Sequence, residues 1–248
     1  MIVVYLIIFF VKKKILLSHS IQNFEKFFRK KQFISFFKHK PKVALLSNYH
    51  LSKRSFFTRS FGYFFLPYGL DEIFLKTRLN KNDKIDNNLA IFTSRVDRNL
   101  DLLIEIWSNY IFSKNNNAKL LVTPFNSMKL EKFNIFARRL GDRNIMISDL
   151  LKARMMLVPG HKSELYCLAA EEARELCVPI VTMGLGSLSE RVDHGKTGFI
   201  AKTKKEFAEY SIKLFKDDIL WNEVRSNLFS LRSSKTWENC TKVLIKNF

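Results

Sequence analysis

Residues 155–183, MMLVPGHKSELYCLAAEEARELCVPIVTM, decide the fold. Met155–Val158 is a short apolar run closed by Pro159 and Gly160, which reads as a buried strand ending in a turn. A polar loop follows, then a helical pattern from Leu165 to Leu176, then a second apolar strand, Pro179–Met183. Two strands separated by one helix cannot pair as a hairpin. The helix must cross over the sheet, so the strands run parallel.

The same alternation extends in both directions. Upstream, the pattern predicts a strand at Ala90–Thr93, a helix at Asn99–Phe112, a strand at Lys119–Thr123, a helix at Met128–Leu140 and a strand at Asn144–Ile147, with a short helical DLLKAR before Met155. Downstream it predicts a helix around Ser187–Val192, a short strand at Phe199–Ala201 and helices from Lys204 to the end. The fold class is therefore α/β, a doubly wound parallel sheet with helices on both faces. Before it, the apolar runs Met1–Val11 and Ile15–Leu17 and the segment KVALLSNYH (residues 43–50 and the lysine before them) read as strands. Ile21–Phe37, with Phe24, Phe27, Phe28, Phe33, Phe36 and Phe37 at helical spacing, reads as an amphipathic helical region broken near Gln32. The expected organisation is a partial N-terminal α/β domain over 1–68, a linker over 69–88, the doubly wound domain over 89–230 and a C-terminal helix over 231–248.

Composition excludes some classes. Hydrophobic residues at 47% and charged residues at 26% describe a chain that packs a core, neither a disordered tail nor a polytopic membrane protein. Met1–Val11 is shorter than the roughly 20 apolar residues a bilayer span needs. Its charge follows the apolar run instead of preceding it, unlike a signal peptide. The cysteines, Cys167, Cys177 and Cys240, are odd in number and far apart, which argues against a disulfide framework and fits a cytoplasmic protein.

The net charge of +19 is concentrated early: residues 1–70 carry 13 Lys and Arg against the single acid Glu25. Such a field attracts polyanions, and peripheral contact of basic residues 12–59 with the inner membrane face is preferred to nucleic acid. A bias toward Lys, Phe, Asn and Ile in the coding composition is an equally simple source of the charge. For the helical region, core packing on a sheet stands beside membrane attachment.

In a doubly wound sheet the chemistry belongs in the loops after the strands. Glu164 and Glu172 stand eight residues apart; on one helix they would diverge by about 80°. Glu164 is therefore placed in the loop and Glu172 inside the helix, with the N–H groups of Leu165, Tyr166 and Cys167 at the helix start, where an anionic ligand fits. The spacing alone leaves another reading open: Glu164 complements the helix dipole, and Glu172 joins Glu171 and Glu175 on a solvated face. His161 reads as an ordinary exposed histidine at the mouth of the loop.

The longer segment PGHKSELYCLAAEEARELCVPIVTMGLGSLSERVDHGKTGFI resembles the donor-site block of family-4 (group 1) retaining glycosyltransferases of the GT-B fold. Its elements fall in order: Pro after a strand, Glu, seven residues, Glu-Ala, a Val-Pro strand, Gly-x-x-x-Glu-x-Val, and His-Gly-x-Thr-Gly-Phe. FLPYGLDEIF is similar to the family's interdomain signature, FTSRVDRNLDLLIEIW to its basic diphosphate-contacting segment, and SSKTWENC to the start of its last helix. The resemblance covers about residues 63–240.

It implies a glycosyltransferase moving a sugar from a UDP- or GDP-linked donor to a glycan or lipid-linked acceptor, with retention. Glu172 would bind ribose hydroxyls, and Glu164 would contact the donor sugar. Arg95 would lie on the diphosphate and Arg98 in the place of the family's Lys, so the expected catalytic set is Arg95, Arg98 and Glu164. The bland alternative for both arginines is a surface salt bridge. No Asp-x-Asp occurs in the sequence, in keeping with metal-free departure of the diphosphate assisted by the arginines, and no cofactor is implied beyond the donor substrate. Glu190 is expected to orient the loop after Met183, with Gly184 and Gly186 allowing close backbone approach.

The chain departs from the family at several glycines: Ser94, Asn99 and Cys177 each replace one, and Tyr166 with Cys167 replaces small or glycine-containing residues. Only residues 1–68 precede the linker, so the acceptor half is expected to be truncated, with ILLSHS (15–20) as a late strand of it and His19 in the place of a cleft-facing His. A non-catalytic nucleotide-sugar-binding fragment or subunit, or a related sugar-nucleotide epimerase, is the alternative reading.

Overall fold

The computed structural model describes residues 14–21, 28, 31, 33–79, 84–124, 130–139 and 141–248. The expected strand Met1–Val11 and the residues Phe24 and Phe27 lie outside them. The described chain divides into two compact units, one of residues 1–69 with 235–248, the other of 70–234.

In the first unit, β1 (Ile15–Leu17), β2 (Lys42–Leu45) and β3 (Tyr63–Phe65) form a parallel sheet in that order. Helix α1 (Phe33–His39) follows β1, and α2 (Asn48–Ser52) follows β2. Phe36 packs edge-on to Phe61 at 4.7 Å, beside Leu16, Val43 and Leu45, on one face of the sheet. The helix Trp237–Asn247, at the end of the chain, clusters with this unit: Cys240 is buried with Ala44, Phe64 and Leu66 on the other face.

The second unit starts inside the stretch expected as linker. Asp71 accepts a hydrogen bond from the Ile73 N–H and caps α3 (Glu72–Lys76), which buries Phe74 in the main core. Six parallel strands follow: β4 (Asp86–Phe92), β5 (Lys119–Val122), β6 (Ile135–Ala137), β7 (Ala153–Leu157), β8 (Ile180–Thr182) and β9 (Gly198–Ile200), in the spatial order β6-β5-β4-β7-β8-β9. Between them run α4 (Leu100–Ile106), continued by a wider turn at Trp107–Ile111, then α5 (Arg143–Lys152) and α6 (Leu168–Glu175). Helices α7 (Lys204–Lys216) and α8 (Asp218–Ser230) close the unit. The chain winds one way from β4 and the other way from β7. Those two neighbours therefore flank the switch point, the place in such sheets where ligands bind, at the carboxyl ends of the strands.

Two expected elements are corrected. Within Met128–Leu140 the described residues form a short 3₁₀ turn, Glu131–Phe133, and the strand β6 instead of a helix. Tertiary partners override the helical spacing: the indole N–H of the buried Trp107 donates to the Phe133 carbonyl at 2.8 Å, Asn134 turns left-handed at φ 54°, and Leu120–Val122 pair with Ile135–Ala137. Asn144–Ile147 is not a strand but part of α5. Asp142 accepts from the Ile145 N–H at 3.1 Å and starts a ten-residue helix that buries Ile147 and Leu150, three residues apart.

A buried cation ties this unit together. Arg154, in central β7 and 2% exposed, donates to the Leu214 carbonyl at 2.8 Å, to Asn87 Oδ1 at 2.9 Å and to Asp218 Oδ1 at 2.5 Å. Its guanidinium lies 4.7 Å from the ring centroid of Trp221. We expect Arg154→Met to lower unfolding free energy by about 2–4 kcal/mol in urea titration, since a carbonyl and an amide lose their donor.

Helix α6 ends in a Schellman pair, with the Cys177 N–H donating to Arg174 and the Val178 N–H to Ala173, and Cys177 at φ 56°. Cys177→Val should destabilise by about 1–2 kcal/mol despite its larger apolar side chain, because a β-branched residue resists that φ. A variant as stable as the parent would show the turn to be unstrained.

Candidate functional site

At the switch point the loop after β4 meets the loop after β7. The first loop holds Ser94, Arg95, Arg98 and Asn99; the second runs from Gly160 to Cys167. Asn99, left-handed at φ 65°, donates its amide to the Gly160 carbonyl at 2.5 Å and fastens the loops together. Its conformation is the one a glycine would supply, and Asn is the side chain that best tolerates it.

Arg98 and Glu164 come together across this join, Nε to Oε2 at 3.4 Å, each side chain 19% exposed. Glu164 Oε1 accepts the Cys167 N–H at 3.1 Å. His161 Nδ1 accepts the Ser163 N–H at 3.1 Å and lies 3.4 Å from a terminal nitrogen of Arg98, so it belongs to the cluster and is not a freely exposed histidine. Arg95 stands apart: it is well exposed and pairs with Asp97 at 2.7 Å.

The expected anion cradle differs in detail. Helix α6 begins at Leu168, with Cys167 as its N-cap in a left-handed conformation at φ 60°. Leu165, Tyr166 and Cys167 therefore lie in the loop before the helix, with all three side chains buried. The Cys167 N–H is taken by Glu164, so it does not point at an incoming ligand as the helix-start reading expected.

Glu172 sits in the second turn of α6, half-buried. Burial pushes its carboxyl up to about 7, against the charges of Arg143 and Arg138 and with the charge of Asp71. Those neighbours are themselves paired, Arg143 with Asp71 at 2.5 Å and Arg138 with Asp149 at 3.0 Å.

The solvated Glu-rich face does not exist. Glu171 is 2% exposed and bound by Arg191 at 3.0 Å and Arg174 at 2.7 Å. Glu175 is 1% exposed and takes the Ser233 N–H on both oxygens at 3.0 Å, with Arg232 at 3.4 Å. Sequence reasoning missed Arg191, Glu171 and Asn99. Only the Glu171–Arg174 spacing of three hinted at a pair.

Gly186 permits the closest approach in the site. It has φ 71°, and a Cβ there would lie 2.4 Å from the His161 carbonyl oxygen. Glu190 is exposed at the end of the adjoining 3₁₀ turn. In the first unit His19, after β1, is hydrogen-bonded through Nδ1 to the Tyr68 hydroxyl, with the rings stacked at 5.7 Å. Among the described residues no group of three or more His, Cys, Asp or Glu could hold a metal ion, and no helix is long and apolar enough to cross a membrane.

A doubly wound sheet whose charged loops meet at the switch point defines an α/β protein with its site at the strand ends. Residues 76–228, well over half of the chain, match the family Glycosyl transferases group 1, and the chain belongs to that family. By sequence, none of the curated proteins matches it. Among solved structures it is similar to a variant of S. aureus TarM in complex with fondaparinux, alpha-GlcNAc-glycerol and UDP, with TM-score 0.73, 17% identity, and 95% of this chain against 50% of that one. It is also similar to Anabaena HepE in complex with UDP, with TM-score 0.73, 14% identity, and 94% against 71%. A third is the pneumococcal O-GlcNAc transferase GtfA with UDP and GlcNAc, with TM-score 0.70, 11% identity, and 94% against 51%. At these identities the likeness establishes the fold, that of GT-B glycosyltransferases. The chain spans about half the length of TarM and GtfA.

The Glu172 carboxyl gives a signed prediction. A carboxyl raised from 4.5 to about 7 favours the folded state when protonated, so its contribution is complete below pH 4.5 and is lost as pH rises through 7. Glu172→Gln should melt like the parent near pH 4.5. At pH 8 it should melt higher by at least about 2 °C, the shift that roughly 1 kcal/mol gives in a chain of this size.

Proposed function

We propose that this chain is a retaining, metal-independent family-4 glycosyltransferase whose second unit binds a UDP- or GDP-linked sugar at the switch point. The observation that carries the reading is the Arg98–Glu164 pair held across the two strand-end loops. The reaction breaks the bond between the anomeric carbon and a diphosphate oxygen and forms one to an acceptor hydroxyl oxygen on the same face of the sugar, the hydroxyl proton passing to the departing diphosphate. Negative charge grows on the departing diphosphate, and fixed cations beside it lower the barrier. Arg98 is held in place for that work, and the exposed Arg95 is free to swing to the ligand from its pair with Asp97. Glu164 takes hydroxyls of the sugar. Glu172 takes those of the ribose, in its ionised form, so nucleotide affinity should rise between about pH 6 and 8. The acceptor is a glycan or a lipid-linked sugar, and the basic residues 12–59 suit contact with an anionic membrane face.

Calorimetric titration with UDP, GDP and their sugars tests the assignment. A carboxylate accepting hydroxyl hydrogen bonds contributes about 1.5–3 kcal/mol. Glu172→Gln should therefore weaken free nucleotide diphosphate and nucleotide sugar alike, by roughly tenfold or more. Glu164→Gln should weaken only the sugar-bearing ligand. Absence of binding to the parent at millimolar ligand, or variants that bind both ligands like the parent, would overturn the reading.

A further inference from the structure

Arg191 follows the 3₁₀ turn Gly186–Glu190 and is not among the residues the family resemblance assigns. Its guanidinium is 9% exposed and makes three contacts at once. Nε donates to the Tyr166 carbonyl at 2.9 Å, a terminal nitrogen donates to Glu171 Oε1 at 3.0 Å, and the plane lies 4.3 Å from the centroid of the Tyr166 ring. Glu171 is anchored from its other side by Arg174 at 2.7 Å, so the fork of Arg191 has a fixed base.

The consequence follows from peptide geometry. In a planar trans peptide the C=O and the N–H of the next residue point in opposite directions. With the Tyr166 carbonyl pulled toward Arg191, the Cys167 N–H must point the other way, and there it meets Glu164 Oε1 at 3.1 Å. One residue pair earlier the arrangement repeats: the Glu164 carbonyl accepts the Ser187 N–H at 2.9 Å, which turns the Leu165 N–H away from the 186–191 segment. The segment after β8 therefore sets both peptide planes of the loop that carries Glu164. The close passage at Gly186, beside the His161 and Glu164 carbonyls, leaves that segment little room to shift.

We infer that Arg191, held by Glu171, is a positioning residue: through the Tyr166 peptide it fixes the Glu164 carboxylate, and so decides how the site discriminates a nucleotide sugar from the bare nucleotide. The ligand half of this inference rests on the function proposed above; the structural half does not.

Arg191→Lys separates positioning from charge compensation. Lysine keeps the positive charge beside Glu171 but cannot reach a carbonyl and a carboxylate with one planar fork. Amide hydrogen exchange of the ligand-free protein, followed by NMR at Cys167, should speed up by about tenfold or more, while Tm changes little. Affinity for the nucleotide sugar that the parent binds should fall by roughly tenfold relative to the free nucleoside diphosphate. Glu171→Gln, which removes the anchor, should move both readouts in the same direction and serves if Arg191→Lys folds poorly.

Parent-like exchange at Cys167 and a parent-like affinity ratio in a folded variant would overturn the inference and leave Arg191 a neutralising charge. Faster exchange in a protein whose parent binds no nucleotide sugar would uphold the positioning and defeat the proposed function instead. Faster exchange with an unchanged affinity ratio would defeat the link from Arg191 to discrimination.

Discussion

A guanidinium near the amino end of a buried parallel strand is the constraint around which the second unit closes. β7 is buried along its whole length, and a charge there is tolerated only if every donor finds a partner. Arg154 finds them on β4 through Asn87, on α7 through the Leu214 carbonyl, and on α8 through Asp218 and the face of Trp221. The Trp221 indole N–H in turn donates to the Arg154 carbonyl at 2.7 Å. No apolar residue could fasten two strands and two helices in this directional way. The helix pair is thereby pinned to the amino ends of the two strands whose carboxyl ends flank the switch point.

The site depends on the same adjacency of β4 and β7. The loops after β4 and β7 meet only because their strands are neighbours, and Asn99 and Gly160 convert adjacency into a hydrogen bond. Asn99, Cys167 and Cys177 all hold a left-handed backbone, the conformation that glycine adopts most readily. A left-handed non-glycine residue costs about 1–2 kcal/mol, so each is held there by its surroundings. For Asn99 the holder is Gly160, for Cys167 it is the carboxylate of Glu164, and for Cys177 it is the end of α6.

The strand-loop-helix-strand at 155–183 was legible because its apolar runs are short, its helix is amphipathic and its turns carry Pro and Gly. The placing of Glu164 in the loop before α6 was likewise legible, whereas its meeting with Arg98, 66 residues earlier in the chain, left no mark on local spacing. Residues 131–137 were not, because a helical spacing of Leu130 and Phe133 is overruled by pairing with β5 and by the indole of Trp107, both distant in sequence. The run NIMI (144–147) misled in the opposite sense, since four apolar-rich residues fit either structure and only the cap at Asp142 decides. The spacing left a solvated face open for Glu171 and Glu175 because their arginine partners, Arg191 and Arg232, lie 20 and 57 residues further along the chain. Burial of a carboxylate is a property of its partner, and a distant partner leaves no mark on local periodicity.

The two carboxylates of the site differ for the same reason. Glu164 already spends one oxygen on a peptide N–H and faces a guanidinium with the other, so its direction is set before any ligand arrives. Glu172 is raised by desolvation, and the arginines nearest to it in charge are committed to Asp71 and Asp149. A preset acceptor favours a ligand whose hydroxyls match its geometry, because little reorganisation remains to oppose binding. A desolvated one gains most from a donor that stabilises its charge, because a hydrogen bond to a charged group is strengthened where water is scarce. On the function proposed above, directional selection would fall to the loop carboxylate and general affinity to the helix carboxylate, a division that would follow from where each sits in the fold and not from the eight-residue spacing between them.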